Sequence, residues 1–127
     1  FPGYIANPYP LIARSEFFVS SSRNEGFPNA IAEAMALARP IIATDCPSGP
    51  AELLKASAAT PGKVVKAPYG LIVPNDDCAA LAEAIKMMTD SKLRDELGAA
   101  GRSRIDDFLL DDVVNDYWDK FQQLMTV

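Results

Sequence analysis

The feature that most constrains this chain is the segment of residues 17–45, whose pattern predicts a strand, a loop, a helix and a second strand in close succession. Residues 17–19 and 40–44 are apolar and typical of strands. Between them, residues 30–38 are almost all strong helix formers, with an apolar stripe at helical spacing. Because strand, helix and strand in this order form a βαβ unit, the segment predicts a parallel sheet.

Two acidic residues flank the predicted start of this helix. Glu25 lies in the polar loop before it, Pro28 suits its first position, and Glu33 lies in its second turn. We expect the two carboxylates to lie roughly 10–12 Å apart along the helix axis. Between them, free N–H groups and the positive end of the helix dipole attract an anion. A nucleoside diphosphate sugar, with hydroxyl groups on both sides of its phosphates, fits this layout. The alternative is that both acids are ordinary solvated residues.

The same segment resembles a known enzyme family. Residues 25–36 read EGFPNAIAEAMA, which is similar to the motif of two glutamates separated by seven residues in retaining glycosyltransferases of family 4. Three further motifs agree with that family and follow its order: NPYP, TDCPSGP and GLIVP, which begin at residues 7, 44 and 70. The resemblance runs from about residue 1 to residue 97. It implies the nucleotide-sugar-binding, C-terminal half of an enzyme with the GT-B fold.

The resemblance also implies a role for individual residues. Glu25 would face hydroxyl groups of the donor sugar and is the candidate catalytic residue, while Glu33 would bind the ribose. The remaining donor-binding candidates are the backbone of Gly26, Phe27, Pro28 and Asn29 around the sugar and diphosphate, and Gly3 and Tyr4 beside the nucleobase. The family has a glycine where this chain has Ala38, so we expect the turn after the helix to be more costly here.

Composition narrows the function further. A net charge of −5 argues against nucleic acid as a partner, because nucleic acids are bound by basic surfaces. The chain contains no histidine, which excludes histidine-based triads and most catalytic zinc sites. Because the two acids would address hydroxyl groups of the donor, we expect neither a metal nor another cofactor. Cys46 and Cys78 lack metal or redox spacing and indicate reduced thiols in a cytoplasmic protein.

The predicted fold is a Rossmann-like three-layer α/β sandwich, with a short parallel sheet of about four strands followed by three helices. The length of 127 residues suits a single domain covering residues 1–127. Outside the βαβ unit we predict a strand tail at residues 1–4, short helices near residues 8–13 and 51–55, strands near 64–65 and 70–74, and helices near 77–89, 92–105 and 112–125. The aromatic stripe of the last helix, Tyr117, Trp118 and Phe121, is typical of a core face, although the resemblance implies that this helix crosses to the other half of the enzyme.

Two parts of the family have no counterpart in the chain: a glycine-rich basic loop that helps to hold the diphosphate, and the acceptor-binding half. We therefore expect a domain truncated at its N-terminal side and inactive by itself. Uncovered apolar surface and an unpaired strand edge would favour self-association of such a fragment. The missing acceptor-binding domain would bring the parent enzyme to the membrane surface.

The sequence thus predicts the donor-binding domain of a glycosyltransferase. The parent enzyme would transfer a hexosyl group from a nucleotide-diphospho-sugar to an acceptor hydroxyl with retention, in polysaccharide or glycoconjugate biosynthesis. One alternative is a non-catalytic module that binds nucleotide sugars, which the missing basic loop favours. Another is a non-transferase enzyme with the GT-B fold, such as an epimerase, which the lack of histidine disfavours. The nucleobase, sugar and acceptor stay open.

Overall fold

The computed structural model describes residues 3–125, which form one mixed sheet with helices on both faces. The helices are α1 (Tyr9–Arg14), α2 (Asn29–Ala36), α3 (Pro50–Leu53), α4 (Cys78–Met87), α5 (Ser91–Ile105) and α6 (Leu110–Met125), and a 3₁₀ turn at Asp106–Phe108 joins the last two. The strands are β1 (Phe18–Ser20), β2 (Ile41–Thr44), β3 (Val65–Ala67) and β4 (Gly70–Val73).

The sheet has the strand order β1-β2-β4-β3. Strands β1, β2 and β4 are parallel, with Val19 opposite Ile42 and Ile42 opposite Leu71. Strand β3 pairs antiparallel with β4, so the expectation of a wholly parallel sheet is wrong at this edge. The reason is the connection: only two residues join β3 to β4, whereas parallel neighbours need a crossover of about a dozen residues or more.

The two central strands are buried on both faces and divide the core into two halves. One half lies between the sheet and helices α2 and α3. It contains Ile31, Ala34, Met35, Ile41, Ala43, Leu53, Leu54, Ala67 and Ile72. The other half lies between the sheet and α4 with the beginning of α5. It contains Ile42, Leu71, Val73, Ala80, Ala84, Met88 and Leu97. The predicted three-layer α/β sandwich is therefore confirmed.

Helix α5 reaches both halves of the core and closes the end of α2. Its residue Leu97 packs in the half that contains α4, whereas Ile105 packs against the half that contains α2. In between, Gly98 lies against the turn after α2, where a Cβ atom added to it would come within 2.5 Å of the Ala38 carbonyl oxygen. Ala38 itself has φ +55°, so the chain makes the left-handed turn that the family makes with glycine.

Helix α6 contradicts the expectation of a core helix. It has no buried residue among those described, and its side chains at Tyr117, Trp118 and Phe121 are 73%, 59% and 60% exposed. It packs mainly against the 3₁₀ turn, and no described element folds back over its apolar stripe. No helix within residues 3–125 has the length and apolar character needed to cross a bilayer.

Several element ends differ from the sequence-based expectation. Pro28 is the N-cap of α2 rather than its first residue. Helix α4 is capped by Asp77, whose carboxylate accepts hydrogen bonds from the backbone N–H groups of Ala80 at 2.9 Å and Gly62 at 2.7 Å. These two bonds lower the pKa of the Asp77 carboxyl. Helix α6 begins at Leu110, so Asp111 and Asp112 lie in its first turn and do not precede it.

Residues 3 and 4, the first that the structure describes, do not form the tail of a strand. Gly3 and Tyr4 lie outside any regular element and are exposed, with Tyr4 94% accessible. The predicted strand tail is therefore wrong for these two residues, and its other part, residues 1–2, lies outside the described residues.

Candidate functional site

The candidate site lies where the parallel strands end. The loop between β1 and α2 carries Glu25 and leaves the carboxyl edge of the sheet, which is where ligands of open α/β sheets bind. Thr44, the buried last residue of β2, donates a hydrogen bond from its Oγ1 to the carbonyl oxygen of Ser22. On the outer side, Arg23 forms an ion pair at 2.8 Å with Asp76, which lies in the loop that follows β4. Loops after β1, β2 and β4 therefore meet at one edge.

A second loop, residues 45–49 after β2, packs directly against the loop of Glu25. The Ser48 hydroxyl donates to the Glu25 carbonyl oxygen at 2.8 Å. Gly49 lies so close to the loop that an added Cβ atom would be 2.4 Å from the carbonyl oxygen of Gly26 and 3.0 Å from the Pro28 ring. Ser48 and Gly49 have φ +61° and +92°. Only glycine adopts such angles without strain, and the close approach independently requires a residue without a side chain at position 49.

Cys46 lies beneath the Glu25 loop and is 3% exposed. Burial raises the pKa of its thiol, and the negative charges of Glu25 and Asp45 raise it further. Backbone hydrogen bonds from its own residue and from Glu25 act in the opposite direction. The thiol is therefore a protonated, packed group that is in contact with the main chain of Glu25, in keeping with the expected reduced cysteine.

The start of α2 is formed by backbone groups. The Pro28 carbonyl oxygen accepts from the N–H groups of Ile31 at 3.0 Å and Ala32 at 3.1 Å, and no side chain caps the helix. The Asn29 N–H donates to the Phe27 carbonyl oxygen at 2.9 Å. One of the donors that the sequence left free for an anion is therefore already used. Glu33 lies in the second turn, as predicted, and is half-buried.

A cavity of about 330 Å³ opens beside the Glu25 loop. Its lining residues are Gly26, Phe27, Ser48, Gly49, Glu52, Leu53, Arg104 and Phe108. The structure thus brings two of the predicted donor-binding residues, Gly26 and Phe27, to one cavity. The acids Glu25 and Glu33 are not among its lining residues, and neither are Gly3 and Tyr4.

Two residues that line this cavity, Arg104 and Phe108, could not be predicted from the sequence. They lie at the end of α5 and in the 3₁₀ turn after it, far along the chain from the Glu25 loop. The Phe108 ring lies 5.7 Å from the Phe27 ring, tilted by 59°. Arg104 lies over the Phe108 ring at 4.6 Å, donates to the Leu53 carbonyl oxygen at 3.2 Å and forms an ion pair with Asp107. No local sequence pattern signals this arrangement, since it depends on how α5 returns across the sheet.

The described residues hold no group of three or more histidine, cysteine, aspartate or glutamate side chains that could bind a metal ion. Cys46 is buried and Cys78 is exposed, and both are free thiols. The cavity instead presents loop backbone, the side chains of Glu52 and Arg104, and two phenylalanine rings.

Comparison with known proteins identifies the family to which this chain belongs. A family model described as glycosyl transferases group 1 matches residues 1–91, which include β1, α2, both candidate acids and the loop of Ser48. The chain belongs to this family. The glycosyltransferase identified from residues 25–36 and the later motifs is therefore confirmed at the level of the family.

Two curated relatives are glycosyltransferases of polysaccharide or lipid-linked sugar assembly. A Campylobacter jejuni enzyme is 33% identical over 93 residues, covering 72% of this chain and 23% of its own length. It is named N-acetylgalactosamine-N,N'-diacetylbacillosaminyl-diphospho-undecaprenol 4-alpha-N-acetylgalactosaminyltransferase. The capsular polysaccharide biosynthesis glycosyltransferase CapM of Staphylococcus aureus is 28% identical over 122 residues, covering 95% of this chain and 28% of its own. The chain spans about a quarter of the length of these relatives.

Among solved structures, a variant of TarM from S. aureus, in complex with fondaparinux, alpha-GlcNAc-glycerol and UDP, has a TM-score of 0.77 to this chain. The alignment covers 93% of this chain and 22% of that one, at 22% sequence identity. At this identity the likeness shows the fold, which is that of a GT-B glycosyltransferase domain.

Proposed function

We propose that this chain is the donor-binding part of a glycosyltransferase that transfers a sugar from a nucleotide-diphospho-sugar to an acceptor hydroxyl with retention. The observation that carries the proposal is the overlap of the family match with the site: residues 1–91 include Glu25 on the loop after β1 and Glu33 on α2. Both named relatives transfer or assemble sugars, and the TarM variant was solved with UDP.

In this proposal each acid recognises one end of the donor. The Glu25 carboxylate accepts hydrogen bonds from hydroxyl groups of the donor sugar, and the Glu33 carboxylate accepts from the ribose. The diphosphate lies between them, against the backbone of residues 26–29 and the positive end of α2. Gly3 and Tyr4 lie beside the nucleobase.

The reaction breaks the bond between the anomeric carbon and the diphosphate oxygen and forms a bond to the acceptor oxygen. The acceptor proton leaves with the diphosphate. Positive charge develops on the sugar ring and negative charge on the diphosphate, so the protein contributes by orienting the sugar and stabilising the leaving group. The residues described here perform this work with N–H groups and carboxylates, and we propose no metal or cofactor.

Basic groups for the diphosphate are proposed to come from outside this chain. Arg23 precedes Glu25 but is paired with Asp76, and Arg104 lines the cavity but is paired with Asp107. An acceptor-binding domain and a basic loop elsewhere in the whole protein would complete the site, at the cytoplasmic surface of the membrane. The exposed apolar stripe of α6 would pack on that additional part.

The test uses two substitutions in the whole protein with a matched control. Glu33→Ala should weaken binding of the nucleoside diphosphate by about tenfold or more, because it removes charge-assisted hydrogen bonds to the ribose. Glu25→Gln should leave that affinity unchanged but lower turnover by about 100-fold. The control is Glu83→Ala, which removes an exposed acid on α4. Calorimetric titration with UDP and GDP measures the first effect, and nucleotide release from UDP- and GDP-sugars measures the second.

The outcomes separate this proposal from the alternative of a non-catalytic binding module. A whole protein that binds nucleotide sugars but never releases the nucleotide, with or without Glu25, would favour the binding module. Unchanged nucleotide affinity in Glu33→Ala together with normal turnover in Glu25→Gln would contradict both.

A further inference from the structure

The loop of residues 45–49 holds the main chain of Glu25 by a hydrogen bond from a side chain. The Ser48 Oγ donates to the Glu25 carbonyl oxygen at 2.8 Å. A carbonyl oxygen in an irregular loop is normally left to water. Here a side chain of the neighbouring loop fixes the orientation of the peptide unit that follows the Glu25 Cα atom.

The residue that donates this hydrogen bond, Ser48, has a strained backbone conformation. Ser48 has φ +61°, a left-handed conformation that is unfavourable for a residue with a side chain. Gly49 follows at φ +92° and lies against the Gly26 carbonyl oxygen and the Pro28 ring. A glycine at position 48 would relieve the strain but would lose the hydroxyl. The strained serine therefore points to a role for the hydroxyl itself.

We propose that Ser48 is a positioning residue that acts through Glu25: its hydroxyl fixes the main chain from which the Glu25 carboxylate reaches the donor sugar. The inference rests on the proposed function of Glu25. The carboxylate extends from the Cα atom by three rotatable bonds, so its reach depends on the orientation of the peptide unit that Ser48 holds. Misplacement of a reacting group by about 1 Å can cost 100-fold in rate.

The variants that test this role are chosen to suit the left-handed backbone conformation of Ser48. Ser48→Gly removes the hydroxyl and relaxes the backbone, so the loop can keep its conformation and the protein can fold. Ser48→Asn tolerates the same backbone and supplies an amide N–H donor in place of the hydroxyl. Ser57→Gly is the matched control, because Ser57 is an exposed serine in the loop between α3 and β3.

The first measurement follows nucleotide release by the whole protein from UDP-glucose, UDP-N-acetylglucosamine, UDP-N-acetylgalactosamine and GDP-mannose. Ser48→Gly should lower kcat about tenfold, the value of one lost hydrogen bond, while the Kd for UDP or GDP stays within about twofold. Ser48→Asn should recover most of the loss, and Ser57→Gly should behave as the wild type. In the Glu25→Gln background, Ser48→Gly should have no further effect, because the group it positions is already impaired. A normal kcat for Ser48→Gly, or an equal loss in both backgrounds, would overturn the inference.

The second measurement needs no donor and therefore separates this inference from the proposed function. Amide hydrogen exchange across residues 24–27 should be several-fold faster in Ser48→Gly than in the wild type or Ser57→Gly, and slow again in Ser48→Asn. Unchanged exchange would overturn the positioning role even in an active enzyme. If no nucleotide sugar of the panel is bound or cleaved by the wild type, the proposed function fails, whatever the exchange shows.

Discussion

Helices α2 and α6 carry the same kind of sequence signal and have opposite surroundings. Both have an apolar stripe at helical spacing. In α2 the side chains of Ile31, Ala34 and Met35 are at most 1% exposed, whereas in α6 those of Tyr117 and Phe121 are 73% and 60% exposed. The period of a stripe thus shows which face of a helix is apolar, but it does not show what covers that face.

The difference follows from chain connectivity. Helix α2 joins two neighbouring parallel strands, so the crossover itself places its apolar face on the sheet. Helix α5 then returns across its outer end through Gly98 and Gly101. Helix α6 joins nothing within residues 3–125, and it extends from a 3₁₀ turn with its stripe facing solvent. A βαβ unit carries its own packing partners, whereas α6 has no such partner for its stripe among residues 3–125.

The sharpest test of this contrast truncates one side chain in each stripe. Met35→Ala should lower the free energy of unfolding by about 2–5 kcal/mol, because it removes a fully buried side chain and leaves a cavity. Trp118→Ala should change it by no more than about 0.5 kcal/mol in the chain of residues 1–127, since the ring is 59% exposed. Urea denaturation followed by circular dichroism measures both. Equal losses for the two variants would remove the distinction between the helices.

A smaller loss of stability is expected at the contact between α5 and the turn that follows α2. Gly98→Ala should destabilise the chain by about 1–3 kcal/mol, because its Cβ atom would meet the Ala38 carbonyl oxygen at 2.5 Å. Gly101→Ala on the same helix is the matched control. Its Cβ atom would lie 3.5 Å from the Met35 side chain, an ordinary contact, so the gain in helix propensity should leave stability unchanged or higher. If urea denaturation gave the same free energy of unfolding for both variants, the close contact between Gly98 and the turn after α2 would not matter for stability.

The parts of the fold that could be predicted are those with local signals. The segment of residues 17–45 shows two strand patterns and a helix pattern in sequence, and the structure has β1, α2 and β2 there. The direction of β3 could not be predicted, because the strand pattern near residues 64–65 is short and the two-residue connection to β4 carries no clear hairpin signal. The exposure of α6 was missed because no local pattern encodes the absence of a covering element.

The candidate site divides in the same way. Glu25 and Glu33 could be singled out because they lie eight positions apart around one helix start. Ser48 lies within one of the family motifs, but its bond to Glu25 could not be predicted because it depends on the packing of two loops. Arg104 and Phe108 reach the cavity from a helix end that is far away in the sequence. Contacts between sequence-distant loops need the tertiary structure, whereas a motif within one βα connection does not.

The strained turn after α2 offers a test in the stabilising direction. Ala38→Gly should raise the free energy of unfolding by about 0.5–1 kcal/mol, because relief of the left-handed strain, about 1–2 kcal/mol, outweighs the greater entropy that glycine gives the unfolded chain. Ala32→Gly within α2 should instead lower it by about 1 kcal/mol or more, as expected for a helix interior. Thermal unfolding of both variants compares the two positions, and a destabilised Ala38→Gly protein would contradict the role of strain.

The smallest expected effect is on the pH dependence of stability. It should differ between the start of α4, which is capped by Asp77, and the start of α6, which lies on an exposed helix. Backbone hydrogen bonds from Ala80 and Gly62 lower the pKa of Asp77 below its ordinary value of 3.8. The folded state therefore favours the carboxylate, so its stabilising contribution is fully present above the unfolded pKa and is lost as the pH falls through the folded pKa. Asp77→Asn should lower the urea midpoint at neutral pH, and its difference from the wild type should shrink below about pH 4. Asp111→Asn in the first turn of α6 should leave the midpoint unchanged at every pH, because α6 has no buried residue through which its helix contributes to the core. A difference for Asp77→Asn that stayed constant down to about pH 2.5 would show that the cap acts without its charge.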